Sequence, residues 1–178
     1  PSALAGSLIS VESRKTHGAA GSFGLPIEGN IPVGGAVTVE PRASGSSHTI
    51  VFTFENMITN TGIASVTDET GQPIGSATPS VTGAAQNEVS INLTNLIDNT
   101  RAAISLSGVN GSVSVGRLMG FMVGDVSNSR RVNATDISSV KARAGQTVDA
   151  GSFRFDVDAS GAIDSADLTA TRANTGRV

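Results

Sequence analysis

The sequence predicts a mainly β protein: an antiparallel sandwich over residues 1–123, then a small helical module over residues 124–178. Three observations predict this. Apolar residues alternate with period two along the first two-thirds of the chain. Clusters of Gly, Asn, Pro and Asp break the alternation about every 8–12 residues. Beyond Gly124 the alternation stops, and one segment repeats at an offset of 31 residues.

The first strand is expected within PSALAGSLISVES, with SRKTHG (13–18) opening the sandwich. The alternative is that this apolar start pairs with a neighbour's sheet edge. AVTVEP (36–41) and IASVTD (63–68) are short alternating stretches. HTIVFTFE (48–55) puts Ile50, Phe52 and Phe54 on one face, and EVSINLTNL (88–96) does the same with Val89, Ile91 and Leu93. AAISLSGV (102–109) and SVSVGRLM (112–119) continue the pattern. The Asn-Gly between them signals a tight hairpin, because both residues accept positive φ. Seven to nine such strands, each with one buried face, describe an immunoglobulin-like sandwich. The apolar run Leu118, Met119, Phe121, Met122 and Val123 reaches Asp125 with no Pro-, Ser- or Thr-rich linker. The expectation is a rigid two-domain rod.

Composition narrows the function. Charged residues are 15% of the chain, against about 25% in an average soluble protein. Net charge is -3 and no basic run exceeds two residues, so nucleic acid is not an expected partner. No Cys is present, which removes disulfides and thiolate chemistry. No apolar run approaches the roughly 20 residues of a membrane span. The chain opens on Pro1 and reads as a piece of a longer precursor. The two histidines, His17 and His48, sit in none of the common catalytic strings, so no enzyme is expected. His17 reads as a solvated loop or strand-end residue. Without Trp or Tyr the sandwich offers no usual platform for sugar stacking. Asn92, Asn110 and Asn133 fit the glycosylation sequon.

The acids divide at the same place as the strands. Residues 1–124 hold six Glu and two Asp; residues 125–178 hold seven Asp and no Glu. GDVSNSRRVNATDISSVKARAG lies over FDVDASGAIDSADLTATRANTG, aligning Asp125 with Asp156, Asp136 with Asp167 and Gly145 with Gly176. Each copy reads as a loop and a helix, at about 134–144 and 165–175, ending near a capping Gly. A calcium loop presents oxygens at positions 1, 3, 5, 7, 9 and 12, with Gly at 6 for the turn. The second loop supplies Asp156, Asp158, Ser160, the Ala162 carbonyl, Asp164 (directly or through water) and Asp167, with Gly161 in place. The first supplies Asp125, Ser127, Ser129, the Arg131 carbonyl, Asn133 and Asp136. It has two acids against four, and Arg130 replaces the glycine, so two Ca2+ sites are expected with the second stronger.

Duplicated loop–helix units with Asp at position 12 and no entering helix resemble dockerin domains. The resemblance covers the last 55 residues or so. It implies two calcium-loop–helix units around a pseudo-twofold axis and a cohesin-like protein partner. It also implies that loop positions 10 and 11, here Ala134 and Thr135 and then Ser165 and Ala166, contact that partner. A secreted, extracellular or cell-surface location follows from the same resemblance. The expected role is non-catalytic assembly, as a subunit of a cell-surface fibre or layer or the anchoring end of a larger secreted protein. In a fibre the partner is a second copy, head to tail. The alternative is recruitment of a polysaccharide-degrading enzyme to a cohesin scaffold.

Overall fold

The computed structural model describes residues 4–29, 36–43, 45 and 47–178. Among these residues nine strands and two α-helices follow in order: β1 Leu8–His17, β2 Gly21–Pro26, β3 Val39–Glu40, β4 Ser47–Phe54, β5 Ile63–Thr67, β6 Ser76–Thr82, β7 Glu88–Thr94, β8 Thr100–Val109, β9 Val113–Phe121, α1 Ala134–Lys141 and α2 Ser165–Ala173. One sheet runs β2-β1-β4-β7-β6 and the other β3-β9-β8-β5.

The two sheets share one core. Ile50, Phe52 and Phe54 of β4 and Val89, Ile91 and Leu93 of β7 meet Ala102, Ile104 and Leu106 of β8 with Met119 and Phe121 of β9. These are the faces that alternation marked, and β-branched and aromatic side chains fill them as a pleated, half-buried surface requires. Asn110 (φ 46°) and Gly111 (φ 87°) make the tight turn between β8 and β9. Asn110 is buried: its Oδ1 accepts from Thr59 N at 2.8 Å and its Nδ2 donates to the Met57 carbonyl at 2.9 Å, so that sequon is not open to modification.

The pairings differ from the expected all-antiparallel sandwich in one place. β3 is two residues long and runs parallel to β9. Two strands were not marked by alternation. β2 is built of GSFGLP and β6 of SATPSVT, whose Gly, Pro and small residues look like turn material. Both are edge strands, where Pro26 and Pro79 are tolerated. From Ala5 on, the N-terminal stretch belongs to the protein's own sheet: β1 lies between β2 and β4, and Glu55 N and Asn56 N reach back to the carbonyls of Ser7 and Ala5, while residues 1–3 lie outside the described residues.

A second core joins the two halves. Phe23 and Leu25 of β2 pack with Val126, Val140, Val148, Phe153, Phe155, Val157 and Ile163. Phe23 and Phe153 stack at 5.6 Å, 5° from parallel, so Phe153 serves the junction as well as the space between the repeats. The apolar run before Asp125 divides between clusters: Met119 and Phe121 enter the sheet core, Val123 the second, and Met122 packs with Val39 and Val132.

Candidate metal centres

Each loop is closed by backbone hydrogen bonds onto its first and last aspartate. In the second loop Asp156 accepts from Ser160 N (Oδ1, 3.0 Å) and Gly161 N (Oδ2, 2.8 Å). In the first, Asp125 accepts from Ser129 N (Oδ1, 2.9 Å) and Arg130 N (Oδ2, 2.7 Å). Asp167 accepts from Asp158 N (3.1 Å) and Asp164 N (2.8 Å); Asp136 accepts from Ser127 N and Asn133 N, both at 2.9 Å. The last aspartate of each loop is therefore also the third residue of a capping box that starts α1 or α2. The residues that start the helices and those that close the loops are the same, which explains how so short a repeat folds.

The repeats exchange their tails. Gly145 N donates to the Ile163 carbonyl at 2.8 Å, and its counterpart Gly176 N donates to the Val132 carbonyl at 2.9 Å. This is twofold pairing of the duplicated units. Both helices end earlier than the repeat suggests, at Lys141 and Ala173, and a turn then carries the chain to each glycine at φ 83° and 92°.

The second loop gathers a candidate cation site. Carboxylate oxygens of Asp156, Asp158 and Asp167 lie within 4.8 Å of one another. Asp156 and Asp167 are buried and Asp158 is exposed. Asp164 stands apart as the helix cap, its Oδ1 on Ala166 N at 2.6 Å, which suits a ligand acting through water. Ser160 Oγ lies 3.3 Å from the Ala162 carbonyl. These are hard oxygen donors with three negative charges in one place, the donor set of Ca2+ rather than of a softer metal. Burial pushes the Asp167 carboxyl up, and the charges of Asp158 and Asp156 add to this. A cation would relieve that strain. In the first loop burial likewise pushes Asp125 up, with the Asp136 charge adding. Here Ser127 and Asn133 stand where the second loop has Asp158 and Asp164, Ser129 Oγ sits 3.0 Å from the Arg131 carbonyl, and Asn133 caps α1 through Thr135 N. Arg130 holds φ 62° where the second loop has Gly161, an unfavourable conformation for a side-chain-bearing residue.

These geometries agree with the comparison with known families. Residues 123–171 match the dockerin type I domain. Neither a curated protein nor a solved structure matches the chain. Dockerin domains bind Ca2+ and act in protein–protein contact, typically with cohesin, and are not themselves catalytic. Proteins that carry them are typically extracellular or at the cell surface. Among the described residues no helix is long and apolar enough to cross a membrane. The dockerin positions expected to face a partner, Ala134, Thr135, Ser165 and Ala166, are all exposed.

Sequence reasoning missed one residue of the dockerin loop's surroundings. His17 was expected in solvent. It is fully buried at the end of β1, with Nδ1 2.8 Å from Asp156 Oδ2 and Nε2 3.1 Å from Arg42 Nη1. Arg42 only donates, so Nε2 accepts and the ring proton sits on Nδ1, donated to Asp156. Burial pushes the imidazole down; the Asp156 bond opposes this and the Arg42 charge reinforces it. The partner lies 139 residues away, so no local pattern could announce it. One signal existed. Ser13, Lys15 and His17 share the face of β1 that buries Val11, and polar residues in a core register need something to cover them.

Proposed function

We propose that this chain is a secreted, non-catalytic assembly protein, in which an immunoglobulin-like sandwich (1–123) presents a dockerin module (124–178) to a protein partner. The strand order supports the first part. β1, β4, β7 and β6 follow the A-B-E-D order of that fold, and β5, β8 and β9 the C-F-G order, with β2 and β3 added between A and B. Two Ca2+ ions hold the module. Asp156, Asp158, Ser160, the Ala162 carbonyl, Asp164 and Asp167 bind one. Asp125, Ser127, Ser129, the Arg131 carbonyl, Asn133 and Asp136 bind the other more weakly, because fewer carboxylates face it and Arg130 and Arg131 stand beside it. Calcium supplies the charge that lets the buried carboxylates stay ionised, and the chain supplies the fixed ring of oxygens.

The observation that carries the assembly reading is the junction. Phe23–Phe153 stacking, the bond from Ala43 N to the Val157 carbonyl (2.6 Å), that from Val39 N to Asn128 Oδ1 (2.6 Å) and the Arg177–Asp98 ion pair fix the module on the sheets. A partner bound at Ala134, Thr135, Ser165 and Ala166 is thereby held at a set angle to the sandwich, which suits a fibre or layer subunit. Molar mass by light scattering, in millimolar calcium and after chelation, tests this. Mass that grows with calcium and falls without it supports self-assembly; a monomer in both refutes the fibre. The second reading, recruitment of a polysaccharide-degrading enzyme to cohesin, draws on the small exposed side chains at those four positions. Calcium-dependent binding of an added cohesin module, with the chain otherwise monomeric, selects it.

A further inference from the structure

The first aspartate of the second calcium loop has a partner from the β sheets, and its counterpart in the first loop accepts only from its own loop among the described residues. We propose that the sheets complete the second calcium site: His17 is a positioning residue that fixes the Asp156 carboxylate for the metal, and Arg42 with Glu40 fixes His17. This rests on residues 156–167 being a calcium loop.

Counting lone pairs shows what His17 does. A carboxylate oxygen has two acceptor directions. Asp156 Oδ2 takes Gly161 N at 2.8 Å and His17 Nδ1 at 2.8 Å, so both are used. Asp156 Oδ1 takes Ser160 N at 3.0 Å and otherwise only the Ser160 hydroxyl at 3.5 Å, a long contact to a group that is itself an expected ligand, so this is the oxygen left for the cation. His17 therefore decides which oxygen faces the cation and stops the carboxylate from turning. The ring itself cannot turn. Its Nε2 receives Arg42 Nη1, and the other four N–H groups of Arg42 go to Glu40 Oε1 (2.7 Å), Glu40 Oε2 (2.7 Å), the Ser13 carbonyl (2.8 Å) and the Phe23 carbonyl (3.2 Å). Glu40, Arg42, His17 and Asp156 are each 0% exposed, so water cannot replace a lost member.

The backbone fits the loop as closely. Gly18, at φ 46°, follows His17, and a Cβ there would lie 2.1 Å from the Ser160 carbonyl oxygen. A Cβ at Gly161, at φ 95°, would lie 2.8 Å from the His17 carbonyl oxygen. The β1–β2 turn and the calcium loop touch main chain to main chain, and each needs glycine to do so. In the first loop Asp125 accepts only from residues of its own loop, Ser127, Ser129 and Arg130, among the described residues. The first loop is therefore a control inside the same molecule.

The test is calorimetric titration of the chelated full chain with calcium, for the wild type and for His17→Ala, His17→Asn and His17→Gln. Asn places an N–H near the Nδ1 position; Gln reaches further. The expected result is a second site weakened about 10–100-fold in the Ala variant, the range for residues that orient metal ligands. Asn should restore most of the affinity, Gln should not, and the first site should stay unchanged in all three. Circular dichroism without calcium checks folding. If Ala has lost the fold, the Asn and Gln pair decides. Equal second-site affinity in all folded variants overturns the proposal, as does equal weakening of both sites. A wild type with no calcium binding that Asp156→Ala removes overturns the calcium reading instead.

Discussion

Replacing Arg42 with Met should destabilise the protein by about 3–5 kcal/mol, the cost of leaving one partner of a buried ion pair behind. The structure says why the figure belongs at the high end of single substitutions. All five N–H groups of Arg42 are used, two of them on Glu40 at 2.7 Å. Burial pushes the Glu40 carboxyl up, and the Arg42 charge and hydrogen bonds overcome this, holding it down to about 2. Without Arg42 a fully buried carboxylate, the His17 Nε2 acceptor and two main-chain carbonyls lose their partner together. For a chain of this length the loss corresponds to a fall in melting temperature of about 6–20 °C. The chain has no Trp or Tyr, so unfolding in urea is followed by circular dichroism rather than fluorescence. The Glu40→Met/Arg42→Met double variant removes the stranded charge and should lose less than Arg42→Met alone. A loss under about 1 kcal/mol for Arg42→Met, the scale of a surface pair, would refute this account, and so would a double variant less stable than the single one.

Four further outcomes are expected. Asp156→Ala should abolish calcium binding at the second loop, while Asp125→Ala removes only the weaker site; titration calorimetry separates the two, and equal effects would contradict the ranking. Calcium at a hundredfold over its dissociation constant should stabilise the chain by about 2.7 kcal/mol per site, read as a rise in melting temperature over the chelated protein. Ala159→Gly should gain about 0.5–1 kcal/mol, because Ala159 holds φ 57° where the first loop has Asn128; a denaturant midpoint that does not rise would count against strain there. His48 links stability to pH. Burial, the largest cause, lowers it to about 4, and it packs 4.6 Å from Phe121. The unfolded chain takes a proton below about 6.5 while the folded one does not until about 4. Its contribution is complete above pH 6.5 and is lost as pH falls toward 4, on the order of 3 kcal/mol as an upper bound. His48→Phe should flatten that slope in melting temperatures compared at pH 7 and pH 4.5, and an unchanged slope would show that other groups set it.

The sequence was most readable where structure is local. The spacing from Asp156 to Asp167 carries both the loop and the start of α2, because the same carboxylate closes one and caps the other. β4, β7, β8 and β9 were readable because each alternates over seven residues or more. β6 was not, since Ser, Ala, Thr and Pro bury too little to mark a face, and its strand exists because β7 offers it a ladder. The parallel pairing of β3 with β9 joins residues about 80 positions apart and left no trace in either stretch. The His17–Asp156 contact is the extreme case. It is a property of how one hairpin lands on one loop, and the sequence reading placed His17 in solvent instead.

The placing of His17 at the very end of β1 has a mechanical consequence. Any load on the second loop has to be carried by what holds Asp156. Asp156 is tied through His17 to β1, and β1 is laddered on one side to β2 and on the other to β4. Traction along that strand has to shear both ladders at once, whereas a load applied across an edge strand would peel its bonds one by one. The joint thus anchors the second loop to a strand that is paired on both sides.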